Sequence, residues 1–231
     1  MSSRKRRRTI FEQLRMVSQP CIIRTDLPQP GQPWTPQLLS IVEDPFRPLE
    51  ARRAAMEMLQ RLPDRNVATA IVQVLAREPE LAFDAAKVLA ATGSRRVTRR
   101  LLAVARLSPD HRIRQAAIWA LSLLHDKRST QTLISILRNS KEPPSVRAEA
   151  AHALAGRKSA LPALVESSRD PSADVRFSVA YALGESGDHR ALPALIALSR
   201  DTEAPVGGRP ICDEAGEAIE TIRSVSKLPL A

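Results

Sequence analysis

A nine-residue helical pattern returns about every 30 residues along this chain, and this periodicity restricts the fold more than any other feature. Clear copies begin at Ala51, Leu81, Ile113, Val146 and Val175, with offsets of 30, 32, 33 and 29 residues, and a weaker copy begins at Ile211. Such a period is typical of arrays in which each unit buries its apolar side against its neighbours.

Each copy is followed by a turn and a second helix. The pattern is clearest in GDHRALPALIALSRD, where Gly187 can end the first helix and Asp188 can cap the second. Residues 35–44 match the second helix of 192–201, so a lone second helix opens the array. The sequence therefore predicts an all-α fold of about five helical hairpins, with a half repeat at each end.

The hairpins resemble the HEAT family, and within it the short repeats named after the phycobilisome lyases. The positions that carry this resemblance are Asp170, Val175, Arg176, Ala180, Leu183, Gly184, Gly187, Asp188, Ala191, Leu195 and Asp201. The resemblance covers roughly residues 35–225 and implies a right-handed, armadillo-like α-solenoid whose second helices line a concave groove. It also implies a binding scaffold, since most such arrays bind partners and few carry chemistry.

The sequence divides into three parts. Residues 1–34 hold the basic run SRKRRR, a short amphipathic stretch and a Pro-rich linker. A basic amphipathic helix of this kind could contact nucleic acid or an anionic membrane surface. We expect instead that the segment acts as a lid on the first hairpin or lacks fixed structure. Residues 35–225 form the predicted solenoid, and residues 226–231 form a C-terminal tail.

Charge and cysteine content narrow the class of protein. The formal net charge is +10, and it is concentrated in residues 1–140, where 24 Lys and Arg face 12 Asp and Glu. The two cysteines, Cys21 and Cys212, form no CxxC pair, which fits free thiols in a reducing compartment. The chain has no apolar run of membrane-spanning length and no secretory signal pattern, so we expect a cytoplasmic protein.

Two columns of the first helices stand out. Position one, counted from the start of each copy, lies on the buried arc, and in four copies it is arginine. We predict a structural role for Arg52, Arg114, Arg147 and Arg176, each bonded to a carboxylate or a helix end.

Position six points outward and holds Trp119, His152 and Tyr181 in three adjacent copies. These side chains are possible interface hot spots, or they are partly covered between neighbouring helices.

The second helices carry basic columns. Helical phase turns positions one, two, five, nine and twelve outward, counted from Asp188 and its equivalents, and these columns hold twelve cations and a single acid, Glu166. Arginine at position twelve has a structural explanation, because a cation at a helix C-terminus is favourable. Cations at the N-terminal end are not, so their recurrence favours anion binding. The candidate partner or anion-binding residues are Arg65, Arg95, Arg96, Arg99, Arg100, Lys127, Arg128, Lys158 and Arg190.

Catalytic signatures do not appear in the sequence. It has no Walker loop, no GxSxG, no GxGxxG and no Cys or His pair at metal spacing, so we expect no cofactor. The His-Glu dipeptides of HEAT-type hydroxylases are also missing.

The sequence predicts a non-enzymatic scaffold for protein–protein interaction, with a basic groove for an acidic partner. One alternative is binding to the phosphate backbone of nucleic acid. Another, which rests on the family resemblance alone, is an accessory lyase or chaperone for a tetrapyrrole-bearing protein.

Overall fold

The computed structural model describes residues 34–61 and 65–225, and its helices form two compact units. The predictions for the basic run, the linker and the C-terminal tail lie outside the described residues. No strand occurs within the described ranges, and the helical hairpins predicted from the period are confirmed. The limits of the predicted solenoid stay a prediction.

The first unit, which ends at Thr92, opens with a lone helix that precedes the first hairpin. Its helices are α1 (Trp34–Glu43), α2 (Leu49–Arg61), α3 (Ala68–Arg77) and α4 (Ala82–Thr92). Helix α1 packs on α2, and α2 and α3 both pack on α4. Leu38 and Val42 are the buried residues of α1, four positions apart, as expected for a helix with one apolar side.

The second unit repeats the same alternation from Gly93 onward. Its helices are α5 (Arg95–Leu107), α6 (His111–Leu124), α7 (Thr130–Leu137), α8 (Pro144–Ala153), α9 (Leu161–Ser167), α10 (Ala173–Glu185), α11 (Leu192–Leu198) and α12 (Ile211–Val225). The first helices α6, α8, α10 and α12 pack in succession, and each second helix packs on the first helix that follows it. Every first helix is thus buried on several sides.

Small side chains allow this close helix packing. Ala116, Ala117, Ala150 and Ala180 are fully buried, in agreement with a core built from small aliphatic residues. Helices α10 and α12 approach closely, because a Cβ added to Gly184 would lie 2.7 Å from the Cβ of Ala218. Any side chain at position 184 would therefore push these two helices apart.

The turns between first and second helices share one backbone device in the second unit. The residue before each cap has a positive φ: Gly93 (41°), His125 (48°), Gly156 (68°) and Gly187 (61°). Glycine adopts this left-handed conformation without steric cost, whereas a histidine does not. The residue that follows then begins the next helical segment, which fixes where the second-helix side chains point.

Candidate binding face

The outward columns of the second helices are exposed throughout the second unit. In each repeat that contains α5, α7, α9 or α11, positions one, two, five, nine and twelve are all exposed, while positions three, four and seven are buried or half-buried. We call these twenty exposed positions the second-helix face. The helical phase that the sequence predicted is the phase found in the structure.

The second-helix face carries eleven cations and one carboxylate, Glu166. The cations are Arg95, Arg96, Arg99, Arg106, Lys127, Arg128, Arg138, Lys158, Arg169, Arg190 and Arg200. In the first unit, the side chain of Arg65 lies outside the described part of the chain. The other outward positions of that repeat, which are Asn66, Thr69, Gln73 and Ala76, are exposed and uncharged. Among the described outward positions of the second helices, the cations therefore lie on the second unit.

Three of the eleven cations have an intramolecular partner. Arg128 Nε lies 3.1 Å from Asp126 Oδ1, and Arg190 Nη2 lies 2.7 Å from Asp188 Oδ2. Arg138 pairs with Glu166. The other eight form no ion pair within the described ranges. Arg100, which occupies position six of α5, is half-buried and lies beside the second-helix face.

The N-terminal ends of the second helices hold a contiguous row of cations, which we call the cap row. It consists of Arg95, Arg96, Arg99, Lys127, Arg128, Lys158 and Arg190. Helix α5 has no acidic residue in its first turn, so Arg95 and Arg96 oppose the positive end of the helix dipole. Such a placement costs a few tenths of a kcal/mol for each cation. Local helix stability therefore does not explain the cap row.

Two aspartates beside the cap row are influenced by residues of the preceding repeat. The pKa of Asp126 is lowered mainly by the Arg128 backbone N–H, with a further contribution from the Thr98 hydroxyl of the preceding repeat. The Arg190 side chain lowers the pKa of Asp188 to about 2, and Lys158 of the preceding repeat adds to this effect. The turns that carry Asp126 and Asp188 are thus each coupled to the preceding repeat.

Arg157 ties two of these turns together, a role that the sequence did not indicate. It occupies the position where the other turns have Asp or Ser, and it reaches back to the preceding repeat. Its guanidinium donates to the Asp126 carbonyl at 3.0 Å, the Ser129 hydroxyl at 2.8 Å and the Thr130 hydroxyl at 3.1 Å. Burial lowers the pKa of Arg157. The only sign of this contact in the sequence is that Arg157 stands where the other turns have Asp or Ser.

The first-helix arginines lie in a different environment. Arg147 donates to both carboxylate oxygens of Asp170, at 3.1 and 2.8 Å, and to the Glu142 carbonyl at 2.6 Å. Arg52 bonds Val42 and Glu78 in the same way. Arg114 bonds Glu142, and Arg176 bonds Asp201 and Glu203. Each guanidinium therefore links two places. One is the segment that precedes its own helix, and the other is a carboxylate that precedes the next first helix.

The outward column of the first helices brings two rings together. His152 of α8 and Tyr181 of α10 stack with ring centroids 4.7 Å apart and planes 6° apart. His152 is exposed, whereas Trp119 and Tyr181 are half-buried. Burial lowers the pKa of His152 and raises that of Tyr181, while Glu185 and Glu214 act on both rings by charge.

Glu149 is a half-buried carboxylate on the same helix as His152. Burial raises its pKa to about 7, and it forms no ion pair or hydrogen bond within the described residues. The sequence pattern does not indicate that this residue is shielded from water. Its helical position is intermediate between the core arc and the outward column, so the packing of the neighbouring first helices decides its exposure.

Neither unit contains a preformed site for a metal ion among the residues that the structure describes. No group of three or more His, Cys, Asp or Glu side chains there is placed to hold one. A cleft of about 350 Å³ lies in the first unit and is lined by charged side chains of both signs, including Arg53, Glu57, Asp84 and Lys87. In the described ranges, no helix is both long enough and apolar enough to cross a membrane.

A stack of helical hairpins with solvent-exposed outward columns defines the chain as an α-solenoid scaffold, a class suited to protein interaction. The sequence profile of HEAT repeats matches residues 70–154 and 130–207, which together make up more than half of the chain. The chain therefore belongs to the HEAT-repeat family. A search of curated proteins finds no match.

Solved structures share this fold. Kap95p, from a study of its binding to RanGDP, matches with a TM-score of 0.68 and 13% identity over 100% of this chain. The chain covers only 34% of that structure's length. The complex of CpcE and CpcF of phycocyanin lyase from Nostoc sp. PCC7120 matches with a TM-score of 0.53 and 20% identity. That match covers 80% of this chain and 77% of the other. Identities this low show the fold alone.

Proposed function

We propose that this chain is a non-enzymatic HEAT-repeat scaffold that binds an acidic segment of a partner protein on its second-helix face. The observation that supports the proposal is the cap row, where exposed cations recur at helix N-termini without intramolecular carboxylates for most of them. A guanidinium in water gains little from an exposed position at the wrong end of a helix dipole. A partner carboxylate would offset this unfavourable dipole interaction, because charge-assisted hydrogen bonds are among the stronger ones.

The cations differ in how available they are to a partner. Arg95, Arg96, Arg99, Lys127 and Lys158 form no ion pair within the described residues and are the central residues of the proposed site. Arg128 and Arg190 each have an aspartate two residues earlier and contribute less. Arg100 lies at the edge of the face, and Arg65 stays a candidate on sequence grounds. Arg106, Arg169 and Arg200 lie at or beside the C-terminal ends of their helices, where a structural role explains them.

The composition of the face favours protein over nucleic acid. None of its twenty exposed positions holds Trp, Tyr or Phe, so the face offers no platform on which unpaired bases could stack. Asp126 and Asp188 pair with Arg128 and Arg190 and interrupt the positive charge of the cap row, which suits evenly spaced phosphates poorly. An acidic peptide, whose carboxylates need not be evenly spaced, can place them on the cations that lie between Asp126 and Asp188.

The test compares three labelled polyanions by fluorescence anisotropy at physiological ionic strength: a glutamate–serine peptide, single-stranded DNA and duplex DNA of equal charge. We expect the peptide to bind, and joint replacement of Arg95, Arg96 and Arg99 by Gln to weaken it about tenfold. The matched control replaces Arg106, Arg169 and Arg200 by Gln, which removes the same charge and should weaken binding by less than about threefold.

Two outcomes would overturn the proposal. If duplex DNA binds more tightly than the peptide and its affinity falls steeply with salt, the face is a nucleic-acid surface. If both triple variants weaken the peptide equally, binding reflects net charge and not the cap row.

A further inference from the structure

The outward side of α8 and α10 carries a second surface whose charge is opposite to that of the second-helix face. We call the residues His152, Tyr181, Glu149 and Glu185 the aromatic patch. The two rings stack face to face at 4.7 Å and join neighbouring first helices. Glu149 lies one turn before His152 on α8, and Glu185 lies one turn after Tyr181 on α10. The patch therefore combines a stacked pair of rings with carboxylates.

Electrostatic coupling shows that the acids are close to the rings. The Glu185 charge contributes to the pKa shifts of both His152 and Tyr181, and so does the Glu214 charge from α12. These contributions come after burial, which is the largest cause for both rings. Carboxylates from α10 and α12 thus lie around a stacked pair that spans α8 and α10.

The exposed carboxylate of the patch is that of Glu185, whereas Glu149 is half-buried and burial raises its pKa to about 7, so it carries less negative charge at neutral pH. Glu149 and Glu185 form no ion pair within the described residues, and Glu185 is exposed. The neighbouring acids show what they bind when a cation is available, because the Arg209 guanidinium bonds both Glu214 and Glu217. Glu149 and Glu185 have no such guanidinium partner among the described residues.

We propose that the aromatic patch binds an arginine- or lysine-bearing segment of a partner protein. A guanidinium stacks on aromatic faces and pairs with a carboxylate in the same contact, so rings and acids side by side fit it well. The proposed ligand is opposite in charge to the ligand of the second-helix face. This site is therefore independent of the proposed function, and either one can fail without the other.

The experiment uses the full chain and a labelled arginine–serine peptide, with the glutamate–serine peptide as the reference for the second-helix face. The chain carries a net charge of +10, so long-range repulsion opposes binding of the basic peptide and only a local site can capture it. We expect Tyr181→Ala and Glu185→Gln each to weaken the basic peptide at least about fivefold. Both should leave the acidic peptide unchanged.

Two matched variants separate a local site from general effects. Glu80→Gln removes the same charge from an exposed position in the first unit and should leave the affinity for the basic peptide within about twofold. Tyr181→Phe keeps the ring face and should bind like the natural chain. Circular dichroism establishes that Tyr181→Ala is folded, and Glu185→Gln, at an exposed position, tests the proposal without risk to the core.

The proposal is wrong if the natural chain does not bind the basic peptide. It is also wrong if Glu185→Gln and Glu80→Gln weaken binding equally, because the attraction would then be spread over the surface. Loss of the acidic peptide alone would count against the proposed function and leave the aromatic patch unaffected.

Discussion

Arg147 and Arg99 are the same residue type on helices of the same unit, yet they occupy opposite environments. The Arg147 side chain is 7% exposed and bonds both oxygens of Asp170. Arg99 is exposed and forms no ion pair within the described part of the chain. The difference shows that helical phase, together with a carboxylate before the next first helix, decides whether an arginine of this repeat stabilises the fold or faces solvent.

The strongest test of this comparison removes the buried member. Arg147→Ala should lower the free energy of unfolding by about 3 kcal/mol, because it leaves the Asp170 carboxylate without its partner. Arg99→Ala should stay within about 0.5 kcal/mol of the natural chain. Urea denaturation measures both values. Equal losses in the two variants would break the comparison.

Glu149 lies two residues after Arg147 on α8 and is half-buried without an ion-pair partner among the described residues. The pKa of Glu149 is raised from 4.5 to about 7, so the folded state holds this proton more tightly than the unfolded state does. The resulting penalty is absent below pH 4.5 and complete above pH 7. Glu149→Gln should therefore stabilise the fold by on the order of 2 kcal/mol at alkaline pH and change little in acid.

Urea denaturation at acidic and alkaline pH checks this prediction. Glu220→Gln, which removes an exposed glutamate of α12, serves as the control and should change stability little at either pH. A stabilisation by Glu149→Gln that is the same at both pH values would show that ionisation of Glu149 is not its cause.

Exposed cations with and without an ion-pair partner should differ in how much they contribute to peptide binding. Lys127→Gln should weaken the acidic peptide about threefold, whereas Arg128→Gln should weaken it by less than about twofold, since Asp126 already binds the Arg128 side chain. Fluorescence anisotropy measures both affinities. An equal loss in the two variants would mean that the ion pair with Asp126 opens when the partner binds.

The smallest expected effect comes from removing an aspartate. Asp188→Asn keeps a side-chain oxygen that can accept from the Arg190 N–H, while it removes the negative charge that now binds the Arg190 guanidinium. The acidic peptide should bind about twofold more tightly, as fluorescence anisotropy would measure. Weaker binding in this variant would show that Asp188 holds Arg190 in place for the partner.

Periodic features could be predicted from the sequence, and contacts between repeats could not. The outward phase of the second helices and the buried phase of Arg52 and Arg147 follow from a turn of about a hundred degrees per residue. Arg157 could not be placed in this way, because its partners belong to the preceding repeat and depend on how two turns approach each other.

Local geometry explains the other structural features that the sequence did not predict. His125 takes the left-handed conformation in a turn where the other repeats of the second unit have glycine, because the repeat imposes that turn whatever residue occupies it. The ion pairs of Arg128 and Arg190 depend on side-chain rotamers, which helical periodicity does not determine. The partial burial of Glu149 depends on helix packing.

The central claim is that an acidic partner binds at the cap row, and zero-length carbodiimide cross-linking tests it most directly by joining peptide carboxylates to lysine amines. The described residues hold four lysines: Lys127 and Lys158 in the cap row, Lys87 on α4 and Lys141 in a loop. The account predicts that the glutamate–serine peptide cross-links mainly to Lys127 and Lys158. Cross-links that form equally or preferentially at Lys87 and Lys141 would contradict it.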